Sequence, residues 1–169
     1  MEKKDEKEFL ILNIGGTFNK VYNPISGNLD INKDNNIIKN IINKTKIKNI
    51  KIDGIIYKDS LDLTKKDRRY LVNYIKKSNY NDIIIVHGTD TINITAKYLN
   101  KYIKDKNIVL TGSMIPYSIN GIEATSNLFL SYGFLLNCKK NNIYIAMHGI
   151  VKKFNKIKKN RVKGVFECL

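Results

Sequence analysis

The amino-acid sequence predicts an α/β fold of three layers, in which helices cover both faces of a mostly parallel sheet. Two features indicate this fold. Short apolar runs of strand length recur along the chain, and they alternate with longer segments in which apolar residues have helical spacing. With 169 residues, the chain can bury the core of one domain of ordinary size. We therefore expect residues 1–169 to form a single domain, with residues 1–7 disordered.

The first half of the chain predicts strands and helices in turn. Residues 8–14 form an apolar run and predict the first strand. Residues 18–31 contain a proline, a glycine and several asparagines, which favour a loop or a loose hairpin. Four isoleucines at helical spacing predict a helix over 34–44, and a strand-like segment follows at 47–57.

The second half begins with a helix start signal. Thr64 followed by Asp67 resembles a capping box and predicts a helix that ends near Lys77. The remaining elements alternate, as a parallel sheet requires: a strand at 82–86, a helix at 90–103, a strand at 107–111, a helix at 122–137 and a strand at 143–147.

The positive charge of the chain does not by itself indicate a nucleic-acid partner. The formal net charge is +15, but only three of the 30 basic residues are arginine. Nucleic-acid sites favour arginine, because its guanidinium makes bidentate contacts. We interpret the densest basic segment, residues 151–161, as a solvated surface, and we expect no nucleic-acid partner.

The sequence predicts a cytoplasmic protein without a membrane partner. The charged N-terminus has no apolar segment behind it, unlike a secretory signal peptide. No apolar run approaches the length of a membrane span. Cys138 and Cys168 have neither metal-type spacing nor the pattern of a disulfide framework, so we expect free thiols, no metal and no cofactor.

A polar cluster follows the apolar strand predicted at 82–86. Its sequence is His87-Gly88-Thr89-Asp90-Thr91, between that strand and a predicted helix. Open α/β sheets bind ligands at this position. Glycine lets a ligand approach the backbone, and the first helical N–H groups can stabilise an anion or an oxyanion. The plainer interpretation is that Thr89 or Asp90 only caps the helix.

A second turn of the same kind follows the first strand. Gly15-Gly16-Thr17 again places glycines and a hydroxyl at the end of an apolar run. The two turns could face each other across the edge of one sheet. Two hydroxyl-bearing turns at one edge favour a catalytic site over two isolated caps.

These two turns resemble the two signature motifs of the bacterial-type L-asparaginase/glutaminase family. The similarity continues, in the family's order, in Asp59-Ser60-Leu61-Asp62-Leu63, in the segment 108–116 and in Asn127-Leu128. The resemblance implies the fold of the family's N-terminal domain. The C-terminal domain of most members has no counterpart here, so the chain resembles the short, single-domain asparaginases.

The resemblance implies that Thr17 is the nucleophile of an amide hydrolysis. Such a reaction needs a nucleophile, a base and donors for the oxyanion. Gly16 leaves its backbone N–H open to the substrate. The family's base is a tyrosine on the loop after this turn, and Tyr22 is the only tyrosine there. The plainer interpretations are a turn cap for Thr17 and a surface aromatic for Tyr22.

In the family, Thr89, Asp90 and a lysine form a second group of catalytic residues. We expect this lysine at the start of the next strand, six residues before a glycine, and Lys106 stands six residues before Gly112. A lysine beside Thr89 would lower the cost of removing the hydroxyl proton, and Asp90 would balance the charge. Lysines are abundant in this chain, so the alternative is a surface residue.

The resemblance also implies the residues that bind the substrate. Asp90 would bind the α-amino group, while Ser60 would hold the α-carboxylate with help from the backbone of Asp59. Gly16, Gly88 and Thr89 would complete the binding site. Two-domain members use C-terminal residues of a neighbouring subunit at this site, including contacts to the substrate's amino group.

Together these inferences predict an amidohydrolase that converts L-asparagine to L-aspartate and ammonia through an acyl-enzyme on Thr17. We expect a homodimer or a higher homo-oligomer. A related amidase acting on glutamine or on an asparagine derivative remains an alternative. A catalytically weak module that binds amino acids or serves in assembly remains a further one.

Overall fold

The computed structural model describes residues 7–169. In chain order, its strands are β1 (Phe9–Gly15), β2 (Lys20–Asn23), β3 (Asn28–Ile31), β4 (Ile50–Lys58), β5 (Asp82–Val86), β6 (Asn107–Thr111), β7 (Asn142–Met147), β8 (Ile150–Lys153), β9 (Ile157–Asn160) and β10 (Val165–Cys168). Its α-helices are α1 (Asn36–Asn43), α2 (Lys65–Lys77), α3 (Ile92–Tyr102) and α4 (Gly121–Asn137). The disorder expected for residues 1–6 lies outside the described residues. Lys7 is described, and its ammonium pairs with Asp82 at 3.0 Å.

Six strands form the main sheet in the order β4-β1-β5-β6-β7-β8. The first five run parallel, and only β8 at the edge is antiparallel to its neighbour β7. This arrangement confirms the predicted mostly parallel α/β sheet. Parallel strands end at the same edge, so the turns after β4, β1, β5 and β6 are brought together there.

Side chains of the parallel strands alternate between two apolar layers. On one face, Leu10 and Leu12 of β1 pack with residues of α2 and α3. On the other face, Phe9 and Ile11 pack with residues of α1 and α4. Successive strand residues point to opposite faces, so a strand covered on both faces must be apolar throughout. This explains the nearly continuous apolar runs in the sequence.

The start of α2 confirms the predicted capping box. The hydroxyl of Thr64 accepts a hydrogen bond from the backbone N–H of Asp67 at 3.2 Å, and the carboxylate of Asp67 accepts one from the N–H of Thr64 at 2.8 Å. Each side chain thus satisfies a backbone donor that the helix leaves unpaired. The cap fixes where α2 begins, directly after the turn that follows β4.

Two segments show which of the expected forms the chain takes. Residues 18–31 contain the antiparallel hairpin of β2 and β3, which is the second of the two predicted alternatives. The basic segment 151–161 is not only a solvated surface, because it contributes strand β8 and forms β9, which pairs with β10. Ile157 and Phe166 of this second hairpin are buried in the apolar layer beneath the sheet. Apolar residues spaced among many lysines therefore anchor the segment.

No helix within residues 7–169 has both the length and the apolar character that crossing a bilayer requires.

Candidate active site

Glycines shape the turn at the end of β1. Gly15 and Gly16 have φ angles of 99° and 81°, in the left-handed region that favours glycine. The side-chain oxygen of Asn13 accepts hydrogen bonds from the N–H of Gly15 at 3.1 Å and from the amide of Asn19 at 2.8 Å. The chain therefore reverses tightly, and the half-buried Thr17 begins a single 3-10 turn at the edge of the sheet.

Gly16 and Gly88 bring the turns after β1 and β5 into direct backbone contact. A Cβ atom placed on Gly16 would lie 2.4 Å from the Cα of Gly88. No larger residue could occupy the position without moving one of the turns. The glycines thus place the turn that carries Thr17 beside the turn that carries Thr89.

Ser60, in the turn after β4, stands against the same glycine. A Cβ atom on Gly88 would lie 2.8 Å from the Oγ of Ser60. The carbonyl of Ser60 accepts a hydrogen bond from the hydroxyl of Thr91 at 2.7 Å, while Asp59 caps the turn by accepting from the N–H of Leu61 at 3.2 Å. Among the buried side-chain polar atoms of residues 7–169, only the Oγ of Ser60 lacks a hydrogen-bond partner. A buried hydroxyl without a partner is costly, and it can be satisfied by a ligand.

A lysine completes the turn after β5, and it is Lys159 of β9. Its ammonium nitrogen lies 2.9 Å from the Oγ1 of Thr89 and 2.9 Å from the Oδ1 of Asp90. Thr89 is buried, and the Lys159 side chain is only 13% exposed, so both groups are largely shielded from water. Neither Thr89 nor Asp90 caps the following helix, because α3 begins at Ile92 with Thr91 as its N-cap. The hydroxyl and the carboxylate are therefore not used as helix caps, and both are held by Lys159.

The prediction that Lys106 lies beside Thr89 is wrong. The ammonium of Lys106 donates instead to the carbonyls of Ser78 and Tyr80, at 3.0 and 2.7 Å. Lys106 precedes β6, so it lies at the opposite end of the sheet from the turn at Gly112. Six residues of a strand span roughly 20 Å, too far for a lysine side chain to reach back. The matching register with Gly112 arose by chance in a lysine-rich chain.

Lys159 was missed because it lies about seventy residues after its partners, in a run of lysines. The sequence did contain one signal. Ile157 and Lys159 are two apart, so in a strand they share one face, and Ile157 is fully buried. Because successive side chains of a strand point to opposite faces, Lys159 is expected on the same buried face as Ile157, and Lys158 on the exposed face.

His87 supports the turn through hydrogen bonds on both ring nitrogens. Burial lowers its pKa to about 4, so the ring is neutral near pH 7. One ring nitrogen donates to the carbonyl of Gly88 at 2.6 Å, and the other bonds the hydroxyl of Thr95 at 2.7 Å. Thr95 also accepts from the guanidinium of Arg68 at 3.0 Å. These hydrogen bonds fix the position of the Gly88 carbonyl relative to α2 and α3.

Tyr22 lies on β2 of the hairpin, and its side chain is 64% exposed. It shares one face of β2 with Lys20, whose ammonium pairs with Asp59 at 2.9 Å. The carbonyl of Lys20 accepts from the hydroxyl of Ser118 at 2.8 Å, which ties the hairpin to a second loop. The face of the hairpin that carries Tyr22 is thus the one directed toward the turn of Ser60. Within residues 7–169, no hydrogen bond joins Tyr22 to Thr17.

Electrostatics around this edge are dominated by paired charges. Burial alone would raise the pKa of Asp59, but the ammonium of Lys20 and the N–H groups of Leu61 and Ser60 outweigh it and hold the pKa below its usual range. The carboxylate is therefore ionised at neutral pH and remains paired with the hairpin.

Known proteins match both the sequence and this geometry. The family model described as "Asparaginase, N-terminal" matches residues 8–166. Glutaminase-asparaginase of Acinetobacter glutaminasificans is 34% identical over 95 residues, which cover 54% of this chain and 28% of the relative. L-asparaginase 2 of Bacillus subtilis (strain 168) is 28% identical over 140 residues, which cover 76% of this chain and 36% of the relative. The matched parts thus amount to about a third of the length of these curated relatives.

Solved structures share the fold. The thermostable L-asparaginase from Thermococcus kodakarensis superposes with a TM-score of 0.81 at 24% identity, over 96% of this chain and 51% of that one. A probable cytoplasmic L-asparaginase from Campylobacter jejuni gives a TM-score of 0.80 at 24% identity, over 96% and 52% of the two chains. Since the family model matches nearly the whole described chain, this protein belongs to the asparaginase family, and its sequence corresponds to the family's N-terminal domain.

Proposed function

We propose that this protein is an amidohydrolase that converts L-asparagine to L-aspartate and ammonia. One observation carries the proposal: Gly16 and Gly88 pack the turn of Thr17 against a turn whose threonine hydroxyl is bonded to a lysine. Acyl transfer needs a nucleophilic hydroxyl, groups that move its proton and N–H donors for the oxyanion. The turns that carry the two threonines lie at the edge where α/β sheets bind their ligands, which supports the proposal.

In the proposed reaction, the hydroxyl oxygen of Thr17 attacks the side-chain amide carbon of the substrate. The C–N bond breaks, the nitrogen takes up a proton and ammonia leaves. Water then attacks the resulting ester, and aspartate is released while Thr17 regains its proton. Tyr22 is the proposed base for Thr17, and closure of the hairpin would be needed to bring its phenol to the hydroxyl.

Thr89, Asp90 and Lys159 form the second proposed catalytic group. The ammonium of Lys159 bonds the Thr89 hydroxyl at 2.9 Å, and a cation at that distance favours the deprotonated oxygen. Asp90 balances the charge of the lysine through a 2.9 Å ion pair. This assignment gives Lys159 the role that the sequence suggested for Lys106.

The proposed substrate contacts use the remaining atoms of the three turns. The unpaired Oγ of Ser60 would bond the α-carboxylate, with help from the backbone of Asp59. Asp90 would bind the α-amino group. Gly16, Gly88 and Thr89 would line the amide end. The N–H of Gly16, expected from the sequence to be open to the substrate, donates instead to the carbonyl of Lys58 at 3.0 Å, so the donors for the oxyanion would have to be other groups of these turns.

Ammonia release from the purified full chain tests this proposal. We expect release from L-asparagine, and we expect it to be strongly reduced in a Thr17→Ala variant of unchanged circular dichroism. Glutamine is the informative second substrate, because one relative is named a glutaminase-asparaginase. Absence of ammonia from both amides, with a folded protein, would instead favour a binding or assembly module.

A further inference from the structure

Arg161 places a second cation on Asp90. Its guanidinium nitrogen Nη1 lies 3.2 Å from the Oδ1 of Asp90, and Nη2 lies 3.4 Å from the backbone carbonyl oxygen of the same residue. Lys159 already holds that Oδ1 at 2.9 Å. One carboxylate oxygen therefore contacts two cations, Arg161 and Lys159, and Lys159 also donates to the hydroxyl of Thr89.

This cluster carries a net positive charge, because one carboxylate faces an ammonium and a guanidinium. The carboxylate of Asp59, at the neighbouring turn, does not offset the excess, since Lys20 pairs with it at 2.9 Å. An ammonium group arriving at Asp90 would meet repulsion from both cations and would have to share their acceptor. A ligand without an ammonium group would meet neither cost.

We infer that Arg161 biases this site toward side-chain amides of dicarboxylic acids whose α-carbon bears no ammonium group, with succinamate as the simplest example. The inference deepens the proposed function and rests on it, because it takes Asp90 as the group that would bind the α-amino group. It concerns the substrate class and leaves the hydrolytic chemistry unchanged.

Arg161 is suited to a clean test. Its side chain is 64% exposed and touches Asp90, so its removal does not open the core. Lys163 provides a matched control two residues away. It has the same charge and a side chain 69% exposed, and it pairs with Glu167 at 3.8 Å rather than with Asp90. Arg161→Gln and Lys163→Gln therefore change the net charge equally and differ only at the site.

Aspartate and succinate are the probes, because they differ only in the α-ammonium group. Titration calorimetry at low ionic strength measures the affinity of each for the full chain and both variants. In Arg161→Gln we expect the Kd of aspartate to fall about 1.5- to 5-fold, as for an exposed ion pair, while the Kd of succinate does not fall. Lys163→Gln should change neither. Salt should shrink the difference, since it screens exposed charges.

The same bias should appear in turnover. The ratio of kcat/KM for succinamate to that for asparagine should fall in Arg161→Gln and stay constant in Lys163→Gln. An unchanged ratio of the aspartate and succinate affinities in Arg161→Gln would overturn the inference while leaving the proposed function intact. Failure of both ligands to bind the wild type, with no ammonia released from either amide, would overturn the proposed function as well.

Discussion

At the scale of single residues, the two threonines are distinguished from other hydroxyls by their surroundings. Thr17 follows two glycines in left-handed backbone, and Thr89 is buried against the ammonium of Lys159. A hydroxyl becomes a useful nucleophile or proton relay only where its neighbours favour loss of its proton. Thr89 meets that condition through Lys159, and Thr17 would meet it only through the proposed approach of Tyr22, whereas hydroxyls such as Thr125 on α4 have no cation bonded to them.

We expect Thr17→Ala and Thr89→Val each to reduce ammonia release by on the order of 10²- to 10⁴-fold with the fold intact, because each change removes one hydroxyl from a turn. Steady-state kinetics and thermal unfolding measure the two effects separately. Thr125→Ala is the matched control and should retain full activity. Near-normal turnover by Thr17→Ala would contradict the proposed nucleophile.

The role of Lys159 has its own test. Lys159→Met keeps the length of the side chain and removes the ammonium, so kcat should fall on the order of 10²-fold or more while KM changes less. Lys158→Met removes an equal charge from the adjacent, exposed residue and should leave kcat unchanged. Equal activity of both variants would show that the contact between Lys159 and Thr89 has no catalytic effect.

At the scale of elements, the β2–β3 hairpin connects the turn of Thr17 with the turn of Ser60. Lys20 joins it to Asp59, and Ser118 joins it to the loop after β6. Tyr22 lies on the face of β2 that includes Lys20, yet it remains largely exposed. The hairpin is thus anchored at Lys20, the first residue of β2, while the phenol of Tyr22, the proposed proton acceptor, is still open to solvent.

We expect Tyr22→Phe to keep substrate binding and to lose most of kcat, because only the phenol hydroxyl is removed. Rapid kinetics with asparagine and calorimetry with aspartate measure the two quantities. Tyr70→Phe, on α2, removes a hydroxyl from another half-exposed tyrosine and should have no effect. If Tyr22→Phe had wild-type kcat, the base would have to come from another residue.

The cap of α2 predicts a dependence of stability on pH. Burial alone would raise the pKa of Asp67, but hydrogen bonds from Thr64 and the ammonium of Lys58 outweigh it and lower the pKa. A lowered pKa in the folded state means that the ionised carboxylate stabilises the fold above the unfolded value, near pH 4, and that this contribution is lost as the pH falls.

Thr64→Ala should therefore reduce the free energy of unfolding by about 1 kcal/mol at pH 7, the usual effect of removing a capping hydroxyl. In Asp67→Asn, the loss relative to wild type should be present at pH 7 and should diminish below about pH 4. Urea unfolding at several pH values measures both effects. A loss in Asp67→Asn that is equally large at pH 3 would contradict the electrostatic explanation.

The elements show which parts of the fold follow from sequence patterns. Strand β5 and helix α2 were predictable because their signals are local: a continuous apolar run and a capping box. Strands β9 and β10 were not predictable, because only single buried residues such as Ile157 and Phe166 attach each of them to the core, and many of the surrounding residues are lysines. Lys159 could not be predicted for a related reason, because its position beside Thr89 depends on contacts between distant segments. The turn motifs at Thr17 and Thr89, by contrast, are contiguous in the chain and could be recognised.

At the scale of the whole molecule, we expect a homodimer at least. A site at the edge of a single domain is open to water, which weakens the electrostatic stabilisation of charge. Ile119 and Ile122, at the loop before α4 and at its start, are 64% and 75% exposed, which is a candidate apolar contact surface. The net charge of +15 opposes association, so moderate salt should tighten the dimer through screening.

Replacing Ile119 and Ile122 together by serine should shift the protein toward monomer, since it removes apolar area from the expected interface. Light scattering at two salt concentrations measures the effect. Ile94→Ser, at an exposed isoleucine of α3, controls for a general effect of surface polarity. A fully active wild-type monomer at assay concentration would contradict the expected assembly.

The position of Lys159 in β9 has a consequence for how the chain matures during synthesis. Every strand of the main sheet precedes β9 in sequence, so the ribosome makes the complete sheet, with Thr17, Ser60 and Thr89, before it makes the lysine. Domains begin to fold as they emerge. A nascent or nicked chain that ends before residue 157 would thus contain the whole sheet and still lack the cation at Thr89. Of these four residues, Lys159 is made last, and it reaches Thr89 only once the short basic hairpin of β9 and β10 has formed.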